Sequence, residues 1–120
     1  MDKNAKIFVA GHKGMVGSAI VRRLESAGYD RLLLRDRRAL DLTNQADVNG
    51  FLKSEEPDYI FLAAAKVGGI HANNTERGAF IYQNLIIEAN IVNGAHLAGT
   101  DRMLFLGSSC IYPRDCPQPI

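Results

Sequence analysis

The sequence has no excess of charge: 14 basic residues stand against 13 acidic ones, for a net +1. No overall field therefore draws the chain to nucleic acid or to a membrane surface. No apolar run approaches the roughly 20 residues that span a bilayer. The start, Met1 to Lys6, opens onto no long apolar stretch of the secretory kind. Cysteine is scarce, and Cys110 and Cys116 read as two free thiols rather than a staple. His12, His71 and His96 lie far apart, and none makes a ligand-spaced pair with a cysteine, so no metal site is expected. Repeats, low-complexity tracts and flexible linkers are missing too. A single cytoplasmic domain is the expectation, and 47% hydrophobic residues suffice for a small core.

What is there alternates. Lys6 to Ala10 is a short apolar run that ends on glycine, as a buried strand does. From Met15 the apolar residues Val16, Ala19, Ile20, Leu24 and Ala27 recur at helical spacing until Gly28. Leu32 to Leu34 predicts a second strand. Thr43 is placed to cap a helix running to about Glu55, with Val48, Phe51 and Leu52 inward. Pro57-Asp58 breaks it, and Tyr59 to Ala63 predicts a third strand. A Gly/Asn-rich loop from Lys66 leads to a long helix, roughly Glu76 to Ala98, then a fourth strand, Arg102 to Leu106.

The strands are continuous apolar runs, which suit a parallel sheet covered on both faces. The fold class expected is α/β, a doubly wound parallel sheet of the Rossmann-like NAD(P)-binding type. The tail, Pro113 to Ile120, is too rich in proline for regular structure. Ending the sheet at strand four would leave an apolar edge open, so the sheet is expected to be incomplete on its C-terminal side.

Gly11, Gly14 and Gly17 lie between the first strand and the first helix, with Lys13, Met15 and Val16 among them. That spacing suits a dinucleotide pyrophosphate: a tight turn, close backbone approach to phosphate, and close helix packing. The helix N-terminus adds unpaired N–H groups and a partial positive charge. Asp36 lies about 20 residues beyond the last glycine, where a carboxylate accepts from an adenosine ribose and favours NAD. Arg35, Arg37 and Arg38 surround it, and Lys13 projects from the loop, a set that suits a 2′-phosphate. NADP is favoured by that count of cations. Ser108-Ser109-Cys110 follows the fourth strand at the carboxyl edge of the sheet. A serine there can donate to a carbonyl oxygen and a thiolate can act as base, although a plain turn with a buried cysteine has the same sequence.

Taken together, the glycine loop, Asp41-Leu42, Leu62 to Ala65 and the Gly107 to Pro113 segment resemble the extended short-chain dehydrogenase/reductase superfamily. Within it, Gly11 to Ile20, Ala63 to Ile70 with Ala72-Asn73-Asn74, and Gly107 to Pro113 are similar to the GDP-L-fucose synthase family. Those enzymes are NADPH-dependent GDP-4-keto-6-deoxy-D-mannose 3,5-epimerase/4-reductases.

The resemblance implies that Gly11, Gly14, Met15, Val16 and Gly17 hold the NADP(H) pyrophosphate, while Lys13 and Arg37 meet the 2′-phosphate. It implies Asp41 and Leu42 beside the adenine, and Ala63, Ala64, Ala65 and Lys66 along the path to the nicotinamide. Ser108 would donate to the C4 carbonyl and Cys110 would act as base at C3 and C5. Val67, Gly68, Gly69 and Asn84 would lie near the sugar. Family members are much longer. Residues 1–120 therefore read as the N-terminal portion of the NADP-binding domain, without the substrate domain. The family's Tyr-x-x-x-Lys has no counterpart, since Tyr82 leads to Ile86 and Tyr112 to Cys116. The chain alone is accordingly expected to be inactive.

The long helix shows two partly apolar faces, Ile81/Leu85/Val92/His96 and Tyr82/Ile86/Ala89/Asn93, so burial on two sides is expected. The resemblance implies a homodimer interface there, and packing within one chain is the other reading. Two other readings stay open. One is a related nucleotide-sugar epimerase, dehydratase or reductase, although dehydratases need acids where Cys110 stands. The other is a non-catalytic dinucleotide-binding fragment.

Overall fold

A computed structural model describes residues 1–64, 77–107 and 111–119. Its elements in chain order are β1 (Ile7–Ala10), α1 (Met15–Ser26), β2 (Leu32–Leu33), α2 (Gln45–Glu55), β3 (Tyr59–Leu62), α3 (Arg77–Ala98) and β4 (Met103–Phe105). The strands form one parallel sheet in the order β2-β1-β3-β4. The chain leaves β1 toward one edge and returns past it to β3, so the winding reverses between these two central strands. Open α/β sheets bind ligands at such a reversal, outside the carboxyl ends of the strands.

Period-two alternation splits the core into two layers. Phe8, Ala10, Ile60 and Leu62 face α2 and α3, packing with Val48, Leu52, Ile87, Ile91 and Ala95. Ile7 and Val9 face the other way, with Leu24 and Tyr29 buried beside them and Tyr59 and Phe61 half-buried. Phe51 meets the edge of Phe8 at 4.9 Å between ring centres.

Three expectations need correction. The inward face of α1 is Gly17, Ile20, Val21 and Leu24, whereas Val16 and Ala19 are exposed. Asn44, not Thr43, caps α2: its side chain accepts from the Asp47 N–H at 3.1 Å, while the Thr43 hydroxyl donates to Asp41 instead. The buried side of α3 is Phe80, Ile87, Asn90, Ile91, Gly94 and Ala95, and Ile87, Ile91 and Ala95 of that row pack in the core with α2 and the sheet. Both faces singled out from sequence point outward, with Ile81 61% and Leu85 60% exposed. On β4, Leu104 and Phe105 are each 50% exposed. Residues 111–119 carry no strand and no α-helix, as the prolines dictate. No helix among the described residues is long and apolar enough to cross a membrane.

Candidate functional site

A cleft of 730 Å³ opens at the carboxyl ends of β1, β2 and β3, at the point where the winding reverses. Its floor is the turn between β1 and α1. Gly11 has φ +83°, a conformation that only glycine takes without strain, and the Gly14 N–H closes the turn on the Gly11 carbonyl at 3.0 Å. A Cβ on Gly11 would also come within 2.7 Å of the Ala63 carbonyl oxygen, so the β1 and β3 turns meet there backbone to backbone. A Cβ on Gly17 would strike the Gly11 carbonyl, so the first turn of α1 sits directly on that turn.

The first helical hydrogen bond of α1 runs from the Ser18 N–H to the Gly14 carbonyl. The N–H groups of Met15, Val16 and Gly17 therefore precede the ladder, at the positive end of the helix dipole. Gly14, Met15 and Val16 line the cleft around them. Such a cradle suits an anion with several oxygens.

One end of the cleft is built from the segment after β2. Lys13 and Arg37 line it together with Asp36. The Lys13 Nζ lies 3.4 Å from an Asp36 carboxylate oxygen, and the other oxygen accepts from the Ala39 N–H at 2.9 Å. That Ala39 hydrogen bond and the Lys13 ammonium hold the Asp36 carboxyl below its usual range. The cations do not all converge. Arg35 borders the cleft but its guanidinium lies over the Phe51 ring at 5.3 Å and 3.8 Å from Glu55, and Arg38 lies outside the cleft. The sequence shows four cations near this point; Lys13, Arg35 and Arg37 border the cleft, and the packing of α2 ties the Arg35 guanidinium to Glu55.

Next along the wall come Leu40, Asp41, Leu42 and Thr43. Asp41 accepts from both the hydroxyl (2.7 Å) and the N–H (3.0 Å) of Thr43, which lowers its carboxyl pKa. Leu40 is buried in the core. Asn90, itself buried on α3, donates to the Leu42 carbonyl at 2.9 Å. Ala63 and Ala64 follow β3 at the cleft's centre, where the Ala63 N–H extends the pairing to Ala10 at 3.0 Å.

Of the residues expected at the site, Gly11, Lys13, Gly14, Met15, Val16, Arg37, Asp41, Leu42, Ala63 and Ala64 line this one cleft, with Gly17 beneath it. Asn84 is half-buried on α3 next to Gln83, which does line the cleft. Ser108, Cys110, Ala65, Lys66, Val67, Gly68 and Gly69 lie outside the described residues. Gln83 and Ile87 are lining residues that sequence reasoning missed. No local signal marks Gln83, since only the docking of α3 brings it to the cleft. Cys116 carries a free thiol. Among the described residues no cluster of His, Cys, Asp and Glu could hold a metal ion.

Comparison with known proteins agrees with this geometry. The chain is 59% identical over 119 residues to GDP-L-fucose synthase 1 of Arabidopsis thaliana, which covers 99% of the chain and 37% of that protein. It is 54% identical over 115 residues to the GDP-L-fucose synthase of Escherichia coli, covering 96% of the chain and 36% of that protein. Among solved structures, it superposes on a GDP-mannoheptose C4 reductase from Campylobacter jejuni with NADP bound at a TM-score of 0.93 and 41% identity. That match covers all of the chain and 38% of the reductase. The chain thus spans little more than a third of the length of these relatives. The model of the NAD dependent epimerase/dehydratase family matches residues 7–120, and the chain belongs to that family.

Proposed function

We propose that this chain is the NADP-binding, N-terminal portion of an epimerase/reductase acting on a GDP-linked 4-keto-6-deoxy sugar, as GDP-L-fucose synthases do. The observation that carries the reading is the glycine cradle at the winding reversal with Lys13 and Arg37 at one end. A cradle that a single Cβ would fill, donors ahead of a helix and two cations at the far end together fit NADP(H).

In this reading the N–H groups at the start of α1 bind the pyrophosphate, and Lys13 with Arg37 neutralises the 2′-phosphate. Asp41 and Leu42 border the adenine, with the Asn90 hydrogen bond fixing that wall. Ala63 to Lys66 line the approach to the reacting end, and small side chains at Ala63 and Ala64 leave room for a flat ring. When bound, NADPH supplies the hydride that reduces C4 of the sugar. Ser108 donates a hydrogen bond to the C4 carbonyl oxygen, stabilising the charge that develops there. The Cys110 thiolate removes the protons at C3 and C5, which the neighbouring 4-keto group acidifies. Val67, Gly68, Gly69 and Asn84 border the sugar.

The substrate is GDP-4-keto-6-deoxy-D-mannose and the product GDP-L-fucose. A homodimer formed through the exposed row of α3, including Ile81, Leu85 and Val92, belongs to the same reading. So does a cytoplasmic location, where nucleotide sugar and NADPH are both available. Leu85→Glu should then convert a dimer to a monomer in sedimentation.

The test is a chimera in which this chain is followed by the remaining part of the Escherichia coli relative. It should oxidise NADPH with the GDP-4-keto sugar in D2O and place deuterium at C3 and C5. Cys110→Ala should abolish the deuterium while NADPH still binds, and Ser108→Ala should slow reduction by about 10²–10³-fold. A folded chimera that binds NADPH yet never consumes the keto sugar would overturn the catalytic reading and favour a non-catalytic dinucleotide-binding module.

A further inference from the structure

The 2′ end of the cleft holds opposed charges. Lys13 and Arg37 would attract a 2′-phosphate, but the Asp36 carboxylate already lies 3.4 Å from Lys13 and faces the same space. The Ala39 N–H anchors one carboxylate oxygen at 2.9 Å, and this fixes the other on the cleft side. Arg35 also borders the cleft, but its guanidinium is already shared with Glu55 at 3.8 Å and lies over the Phe51 ring.

We propose that Asp36 sets the nucleotide preference of this cleft, competing with a 2′-phosphate for Lys13 and accepting a hydrogen bond from a 2′-hydroxyl, so that the chain takes both NADPH and NADH. The inference rests on the dinucleotide reading above and deepens it. A bound 2′-phosphate must displace Asp36 from Lys13 and then stand beside a carboxylate of like sign, which weakens NADPH binding. A 2′-hydroxyl brings no charge, leaves the Lys13–Asp36 pair intact and donates to the carboxylate, as in NAD-binding sites of this architecture. The same residue thus lowers one affinity and raises the other, and the two cofactors converge.

The experiment is a fluorescence titration of the 120-residue chain, and of its Asp36→Asn and Asp36→Ala variants, with NADPH and NADH separately. Thermal unfolding confirms that each protein is folded. Asn keeps an oxygen for the Ala39 N–H and removes only the charge, so it separates charge from loop structure. The wild type should bind the two nucleotides within about tenfold of each other. Asp36→Asn should tighten NADPH by at least about threefold, the size of one exposed charge interaction. Asp36→Ala should also weaken NADH by a similar factor.

Equal shifts for both nucleotides would reveal a purely structural role and overturn the proposal, as would no shift at all. A wild type that binds NADPH and prefers it by more than about a hundredfold would overturn the proposal but leave the dinucleotide reading standing. A folded wild type that binds neither would remove that reading and the proposal together.

Discussion

The Asn90 side-chain amide donates to the Leu42 backbone carbonyl at 2.9 Å, joining the buried face of α3 to the wall of the cleft. Only 3% of Asn90 is exposed, so its amide sits where water cannot replace the Leu42 carbonyl as partner. Leaving one buried polar group unpaired costs about 1–3 kcal/mol. Asn90→Leu, which keeps the branching and the number of side-chain heavy atoms, should lower stability to urea by at least that amount and weaken NADPH binding by loosening the 40–43 segment. A loss of stability with unchanged NADPH affinity would show that the bond serves the core alone.

Three glycines should answer differently to the same substitution. Gly50 of α2 and Gly78 of α3 have open space where a Cβ would stand. Alanine there should stabilise by roughly 0.5–1 kcal/mol through helix propensity. At Gly94 the new Cβ would lie 2.9 Å from Leu52 Cδ1, 3.1 Å from Asn49 Oδ1 and 3.4 Å from Val48 Cγ1. Leu52 and Val48 are fully buried and have little room to move. Overpacking costs about 1–3 kcal/mol and so outweighs the propensity gain. Urea midpoints should therefore rise for Gly50→Ala and Gly78→Ala and fall for Gly94→Ala.

Gly17→Val should abolish dinucleotide binding. Its Cβ would meet the Gly11 carbonyl, a backbone atom that cannot turn aside. Either the cradle opens or α1 shifts off the sheet. The readouts are NADPH fluorescence and the thermal midpoint, and unchanged affinity would show that the turn plays no part in binding.

Acid should weaken the fold through the segment after β2. The Ala39 N–H and then Lys13 lower the Asp36 pKa, and the Thr43 hydroxyl and N–H lower that of Asp41. A carboxyl whose folded pKa is depressed contributes stability that is fully present above its unfolded value, near 3.8 here, and is lost as the pH falls through the folded value. Thermal midpoints of wild type and Asp41→Asn should differ at about pH 6 and converge as the pH falls below 3.8 and through the lowered folded value. The gap should be modest, since both groups face solvent. A gap that widens on acidification would contradict the assignment.

Much of this fold can be read from sequence because its signals are local. The run from Lys6 to Ala10, the three glycines and the periodicity after Met15 fix β1, the cradle and α1 with no knowledge of the rest. Elsewhere two residues compete for one role. Thr43 and Asn44 are both good caps, and the contest is settled by Asp41, which takes the Thr43 hydroxyl. The face of α3 was not legible, because the helix is apolar nearly all round and periodicity cannot choose between sides. The row Ile87, Ile91 and Ala95 is selected only by contact with α2 and the sheet. The partners of Arg35 were hidden for a similar reason: its charge at the cleft is plain in the sequence, but Phe51 and Glu55 come to it only when α2 packs.

The central claim is that the glycine turn and the cations beyond it form an organised NADP(H) site. It is tested most directly by titrating the folded chain with NADPH while following nicotinamide fluorescence and the thermal midpoint. Saturable binding should appear, with a midpoint that rises by mass action and an affinity that falls when Lys13 and Arg37 are both replaced by alanine. A folded chain whose midpoint and fluorescence ignore NADPH at any concentration would contradict the account.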